Sequence, residues 1–168
     1  MSKPPGDATV AELFGAHAPA LLLYARQWVG AEEAEDVVQR VFVRLLTGRR
    51  LPSDPRTWLF RCVRNEAIDA WRSIRRRGRR EHVAARDAPG WFVPSPEDGL
   101  DARDAQAALN ALPPEEREVI VLRLWSGLTL SETAAVVGVA VSIVHHRFES
   151  AIEALRQKLE APCENQDP

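Results

Sequence analysis

Apolar residues along this chain recur three and four positions apart, the spacing that lays one stripe along a helix. Thr9-Val10-Ala11-Glu12 has the form of a capping box, in which the Thr hydroxyl accepts from an orphan amide and the Glu reaches back, so a helix is expected to begin there. Pro19 is expected to interrupt it and to open a second helix through Leu21, Leu22, Tyr24, Ala25 and Trp28, stopped by Gly30. From Ala31 to about Leu46 a third helix sets Val37, Val38, Val41, Phe42 and Leu45 on one stripe and leaves Asp36, Gln39, Arg40 and Arg44 outside. The stripe reads as core, and the polar face is available to a partner.

Residues 47–53 read as a loop, after which Asp54-Pro55 starts a helix, with Asp as N-cap and Pro at the first helical position. That helix runs to about Arg77 and carries Trp58, Leu59, Val63, Ile68 and Trp71 among Arg61, Arg64, Asn65, Asp69 and Arg72. Residues 78–101 mix Gly, Pro, Ser and charge with little periodicity, and read as a tether with a short helical start at Glu81–Arg86. Within it, Trp91-Phe92-Val93 is too apolar for a purely solvated linker. A second helical set follows: Ala102–Leu112, then Pro114–Trp125, a turn at Ser126-Gly127, a short helix opened by the capping box Thr129-Leu130-Ser131-Glu132 and closed by Gly138, and a last helix from about Ser142 to Leu159. A short helix, a Gly-containing turn and a longer helix form a helix-turn-helix signature. The expected fold is therefore all-α, with two small helical domains at 9–77 and 102–159, a flexible linker at 78–101 and a tail at 160–168.

Composition sharpens this picture. Apolar residues make up 45% of the chain, enough for compact cores, while Pro89, Pro94, Pro96, Pro113 and Pro114 crowd the zone between the two sets. The net charge of −2 conceals a separation along the chain. Ten arginines stand against three acids between Arg56 and Arg86, and eight acids against two arginines between Asp87 and Glu118, so the relevant field is local. Cys62 and Cys163 lie far apart and suggest neither a disulfide framework nor metal spacing, which fits a reduced cytoplasm. The first residues have no apolar signal core, and no run approaches the roughly 18 apolar residues of a membrane span. A cytoplasmic protein without membrane insertion is expected.

Arg72, Arg75, Arg76, Arg77, Arg79 and Arg80 place six guanidinium groups in nine positions, which repel unless a polyanion neutralises them. Phosphate contact is the favoured reading; the alternative is a solvated helix end, where cations also suit the dipole. Trp58, Phe60 and Trp71 interleave with these bases, as aromatic faces do where unstacked single-stranded bases bind, although each alone fits a core position. In the second set, Ser142, His145, His146, Arg147, Glu149 and Ser150 fall in the first turns of the recognition helix, where side chains reach base edges. His145 and His146 point about 100° apart and cannot share one metal well, so no metal and no cofactor is expected. No nucleophile motif, phosphate-cradling Gly loop or HExxH appears, and catalysis has no positive support.

Taken together, these stretches resemble the extracytoplasmic-function (ECF) group of sigma-70-like RNA polymerase sigma factors. Residues 34–42 (AEDVVQRVF) are similar to the family pattern AEDxVQexF, and residues 58–72 (WLFRCVRNEAIDAWR) to WLFxxxRNxxxDxxR. Residues 112–119 (LPPEEREV) and 127–134 (GLTLSETA) match again in the second half. The resemblance implies a promoter-specificity subunit that is not an enzyme, whose partners are core RNA polymerase and promoter DNA, with an anti-sigma factor as a further candidate. It assigns Asp36, Gln39 and Arg40 to the polymerase, and Arg61, Arg64, Asn65, Asp69, Arg72, Arg75 and Arg76, with the loop 48–53, to the −10 element. Ser142, His145, His146, Arg147 and Ser150 fall to the −35 element.

Three departures stand out. Arg40 replaces a usual acid, and His145, Ser150 and Ile152 replace usual basic residues, which predicts a weaker or unusual −35 contact. Ala140 replaces the usual Ser cap, so the last helix is expected to be capped by Ser142 and to start about two residues late. Two other readings remain: a free-standing helix-turn-helix regulator, or a sigma-like interaction protein that has lost promoter binding. A nucleic-acid enzyme is opposed only by its missing motifs.

Overall fold

The computed structural model describes residues 7–48, 50–80 and 100–160, and among these every regular element is helical. In chain order they are α1 (Asp7–Ala25), α2 (Ala31–Thr47), α3 (Pro55–Arg80), α4 (Leu100–Asn110), α5 (Pro114–Ile120), α6 (Leu130–Val137) and α7 (Val141–Glu160). Residues Val121–Trp125 continue α5 as one π-helical turn, closed by the Ser126 amide on the Val121 carbonyl at 3.0 Å.

Two expectations for the first helix fail together. The helix starts at Asp7, so Thr9 lies inside it and does not cap it, and α1 runs unbroken through Pro19. An interior proline costs about 3 kcal/mol. The two halves bury Val10, Leu21 and Tyr24 on one core, each such side chain contributing about 1.5–3 kcal/mol, and burial prevails over the local defect. The stripe on α2 is buried as expected, and Phe42 meets Phe14 edge-on at 4.9 Å. Asp54 caps α3 by accepting from the Thr57 amide at 3.1 Å, and hydrogen bonding from Thr57 holds its carboxyl below the usual value.

In the second half, α6 opens with a complete capping box: the Glu132 amide donates to Thr129 Oγ1 at 3.1 Å, and the Thr129 amide to Glu132 Oε2 at 2.6 Å. Gly138 ends α6 with φ +80°, the left-handed value that favours glycine. After the turn 138–140 the chain direction changes by 105° into α7, the geometry of a helix-turn-helix. The late start expected for α7 is corrected. It begins at Val141, and the Ala140 carbonyl accepts from the Ile143 and Val144 amides. The turn sets this start: the Gly138 and Val139 amides both return to the Ala134 carbonyl, which fixes where the chain can re-enter a helix whatever residue stands at 140.

The helix α3 extends three residues beyond the expected Arg77, and α4 begins at Leu100. The short helix expected at Glu81–Arg86 and the apolar triplet Trp91-Phe92-Val93 lie outside the described residues. The two helical sets also pack on one another, α3 against α6 and α1 against the π turn. One apolar cluster joins Tyr24, Phe60 and Val63 of the first set to Ile120, Leu122 and Leu128 of the second.

Candidate nucleic-acid and polymerase interface

On α3, Arg61, Asn65, Asp69, Arg72 and Arg76 recur at steps of three and four and form one exposed stripe. Leu59, Phe60, Val63 and Ala67 occupy the opposite, buried side. Of the three aromatic residues considered for base stacking, Phe60 is core, with its ring 5.6 Å from that of Tyr24, and Trp58 is half-buried against the same cluster. Trp71 alone is open, at 36% exposure, with the Arg75 guanidinium stacked 4.9 Å above its ring. The stripe and the stacked pair lie side by side on α3, and Arg77 is exposed on another side of the helix; the acid of the stripe, Asp69, is paired to Arg72 at 3.5 Å.

Arg64 departs from this surface. Its side chain, 24% exposed, turns toward the second helical set, donating from Nε to Glu118 Oε1 at 2.7 Å and from a terminal nitrogen to Oε2 at 3.3 Å. Glu118 on α5 is buried, and the Tyr24 hydroxyl donates to the same Oε1 at 2.6 Å. Burial, reinforced by the Glu118 charge, holds the Tyr24 hydroxyl well above its ordinary pKa. Burial opposes the Arg64 charge, but hydrogen bonding and attraction to Glu118 outweigh it and raise the guanidinium further. Arg56, at the start of α3, bridges the two sets a second time by donating to the Ser126 carbonyl beside Gly127, whose φ is +64°.

On α2, Asp36, Gln39 and Arg40 are all exposed. The unusual Arg40 is answered within the chain: its guanidinium lies 3.1 Å from Glu33 and 3.5 Å from Glu66, and Arg44 pairs with the same Glu66. Sequence reasoning misses two neighbours on this face, Val43 and Leu46, exposed at 57% and 42%. The signal that could find them is that neither falls on the buried stripe. Exposed apolar residues ringed by charge suit a protein partner better than DNA. Leu124 and Trp125, carried outward by the π turn, are a second such pair.

On α7, Ser142, His145 and His146 are exposed on one side while Val144 and Ala151 are buried on the other. His145 Nδ1 lies 3.2 Å from Glu149 Oε2, one turn along the helix. Arg147 is half-exposed. Ser150, expected on the DNA face, instead donates its hydroxyl to Glu116 of α5 at 2.8 Å, which ties it to the packing of the module. Among the described residues, no single helix is long and apolar enough to cross a membrane.

The sigma-70 region 2 family matches residues 13–77, and the sigma-70 region 4 family matches residues 108–157. The chain is 33% identical over 165 residues to the ECF RNA polymerase sigma factor SigL of Mycobacterium tuberculosis, spanning 91% of this chain and 90% of that one. It is 32% identical over 157 residues to the ECF sigma factor EcfG of Rhodopseudomonas palustris, spanning 85% and 78%. Among solved structures, the sigma factor RpoE of Bartonella quintana, in complex with the anti-sigma factor NepR, superimposes with a TM-score of 0.69, covering 94% of this chain and 99% of that one; at 23% identity this is a likeness of fold. CnrH, in complex with the cytosolic domain of CnrY, gives 0.62 at 29% identity over 94% and 91%. Two region matches in the right order, and relatives aligned across both, lead to one conclusion: the chain belongs to the ECF RNA polymerase sigma factors of the sigma-70 family.

Proposed function

We propose that this sigma factor uses the α3 surface to engage the −10 element, the exposed face of α7 to engage the −35 element, and the α2 face to hold core RNA polymerase. The carrying observation is the α3 stripe, in which Arg61, Asn65, Arg72 and Arg76 share one exposed side next to Trp71 and Arg75. Positive charge on that surface neutralises phosphates, and an open aromatic face offers stacking to an unpaired base. The chemistry of transcription belongs to the polymerase; this chain contributes binding free energy that offsets base unstacking, a few kcal/mol per step. Asp36, Gln39 and Arg40, with Val43 and Leu46 beside them, supply the polymerase contact. Ser142, His145, His146 and Arg147 meet the upstream DNA with fewer fixed positive charges than usual, which supports a shallower salt dependence at that element. The chain works inside the cell, where the polymerase is. The Bartonella quintana sigma factor RpoE was solved with the anti-sigma factor NepR, and CnrH with the cytosolic domain of CnrY, which supports a protein inhibitor for this chain as well.

Reconstitution with core polymerase from the same host tests this. The wild-type chain is expected to give promoter-dependent transcription. Asn65→Ala is expected to lower promoter opening at least about fivefold, since removing one polar side chain from a base edge costs about 1–3 kcal/mol, with core binding unchanged. Parallel loss of core binding and opening would make Asn65 a structural residue. Binding to core with no transcription from any member of a promoter library would favour the sigma-like interaction protein.

A further inference from the structure

The first turn of α7 carries two apolar side chains that the fold does not use. Val141 and Ile143 are 43% and 44% exposed, and neither joins an apolar cluster among the described residues. Val141 precedes the buried Val144 by three residues and the half-buried Phe148 by seven, which sets it toward the packed edge of the helix. Ile143 precedes His146 by three and Arg147 by four, and shares their side. Its backbone is held firmly: the Ile143 amide donates to the Ala140 carbonyl at 3.0 Å, and the Gly138 and Val139 amides fix the preceding turn on the Ala134 carbonyl. A β-branched side chain in a helix keeps one strongly preferred χ1 rotamer, so Ile143 loses little further freedom when it meets a partner.

Residues 141–150 hold one fixed cation, Arg147, against one acid, Glu149, whose Oε2 lies 3.2 Å from His145 Nδ1. With fixed charge balanced, attraction to phosphates gives these turns little hold that is independent of sequence, and base edges must carry more of the contact. The edges in the major groove offer donors and acceptors, and the apolar group among them is the 5-methyl of thymine. A branched hydrocarbon standing open beside His146 and Arg147 is complementary to that group.

We propose that Ile143 is a specificity-determining residue for the upstream element, packing its side chain on the 5-methyl group of a thymine in the major groove; this rests on the assignment of the exposed α7 face to the −35 element. Contact removes water from both apolar surfaces. A base without the methyl leaves that surface of Ile143 wet, and a base that turns a donor or acceptor toward it leaves that polar group without a partner. Discrimination of this kind releases no counterion, so it persists at salt concentrations that weaken phosphate contacts.

The test uses holoenzyme reconstituted with core polymerase from the same host, and a double-stranded DNA library randomised over both promoter elements. Thymines enriched upstream by the wild-type chain are then replaced one at a time by deoxyuridine, which removes only the methyl. The wild-type holoenzyme is expected to lose about fourfold in affinity at one of them, the weight of one buried methyl group. Ile143→Ala is expected to bind the thymine duplex more weakly by a similar factor, to be indifferent to deoxyuridine there, and to keep the wild-type slope of log affinity against log salt. Ile143→Val, which retains the branched methyls, is expected to stay sensitive. Both substitutions fall on an exposed side chain, and alanine is the better helix former, so the fold is kept. Equal sensitivity to deoxyuridine in wild type and Ile143→Ala, or none at any enriched thymine, would overturn the role of Ile143 and leave α7 as the reading helix. A library with no enrichment upstream would overturn both, because it removes α7 from base recognition.

Discussion

Tyr24 is the only tyrosine in the chain, so its ionisation can be followed directly by ultraviolet absorbance. Burial and the neighbouring Glu118 keep its proton, and the folded protein therefore binds that proton to higher pH than the unfolded chain does. Stability contributed by this group is complete below the ordinary tyrosine value of about 10 and declines as pH rises through the raised folded value. The expected titration shows no tyrosinate until well above the ordinary value, appearing together with loss of structure. Ionisation at the ordinary value in the folded chain would show the hydroxyl open to water. Glu118 itself is invisible in the sequence, where it is one acid in an acidic run. Its significance comes from a hydroxyl 94 residues away, and no local pattern encodes such a partner. The same is true of Arg64, legible as a basic residue on the right helix but not as one turned aside. Arg61, Asn65, Asp69 and Arg72 are legible in full, because helical spacing alone places them on a common face.

At the scale of elements, the two caps of the helix-turn-helix are unequal. Thr129 and Glu132 form a complete box in front of α6, whereas Ala140 precedes α7 without a side chain able to accept. Thr129→Ala is expected to lower stability by about 1 kcal/mol, and Ala140→Ser to raise it by a similar amount, both read from denaturant midpoints with unchanged slope. No gain from Ala140→Ser would mean that the turn already satisfies the first amides of α7. The bond from the Thr129 backbone amide holds the Glu132 carboxyl below its ordinary value, so this cap stabilises fully above the normal glutamate range and loses its effect as pH falls through the lowered one. Gly138→Ala is expected to cost about 1–2 kcal/mol, since a Cβ meets no neighbour there but the φ of +80° remains strained for it. The capping box, the glycine stop and the Asp54 start are all readable, because each depends on residues within one turn. Pro19 misleads for the complementary reason: the local penalty is real, but both halves of α1 rest on one core.

For the whole molecule, the controlling quantity is where positive charge is free to meet DNA. The open part of α3 carries it, and α7 shows Arg147 and two histidines, one of them beside Glu149. Arg75→Ala with Arg76→Ala, assayed as holoenzyme on promoter DNA, is expected to reduce the slope of log affinity against log salt by about 0.7 for each single-strand phosphate that is no longer neutralised. His145→Lys is expected to steepen that slope. An unchanged slope in the arginine pair would take both residues out of the interface. From the sequence alone came the all-helical class, the two regions, the helix-turn-helix and the exposed stripe, because helices are written in interactions three and four residues apart. Only the tertiary structure decided that the two regions share one apolar cluster, that Ser150 belongs to packing and that Arg64 is held by Glu118. Those outcomes depend on burial shared between distant segments, and a one-dimensional pattern carries no record of which segments will meet.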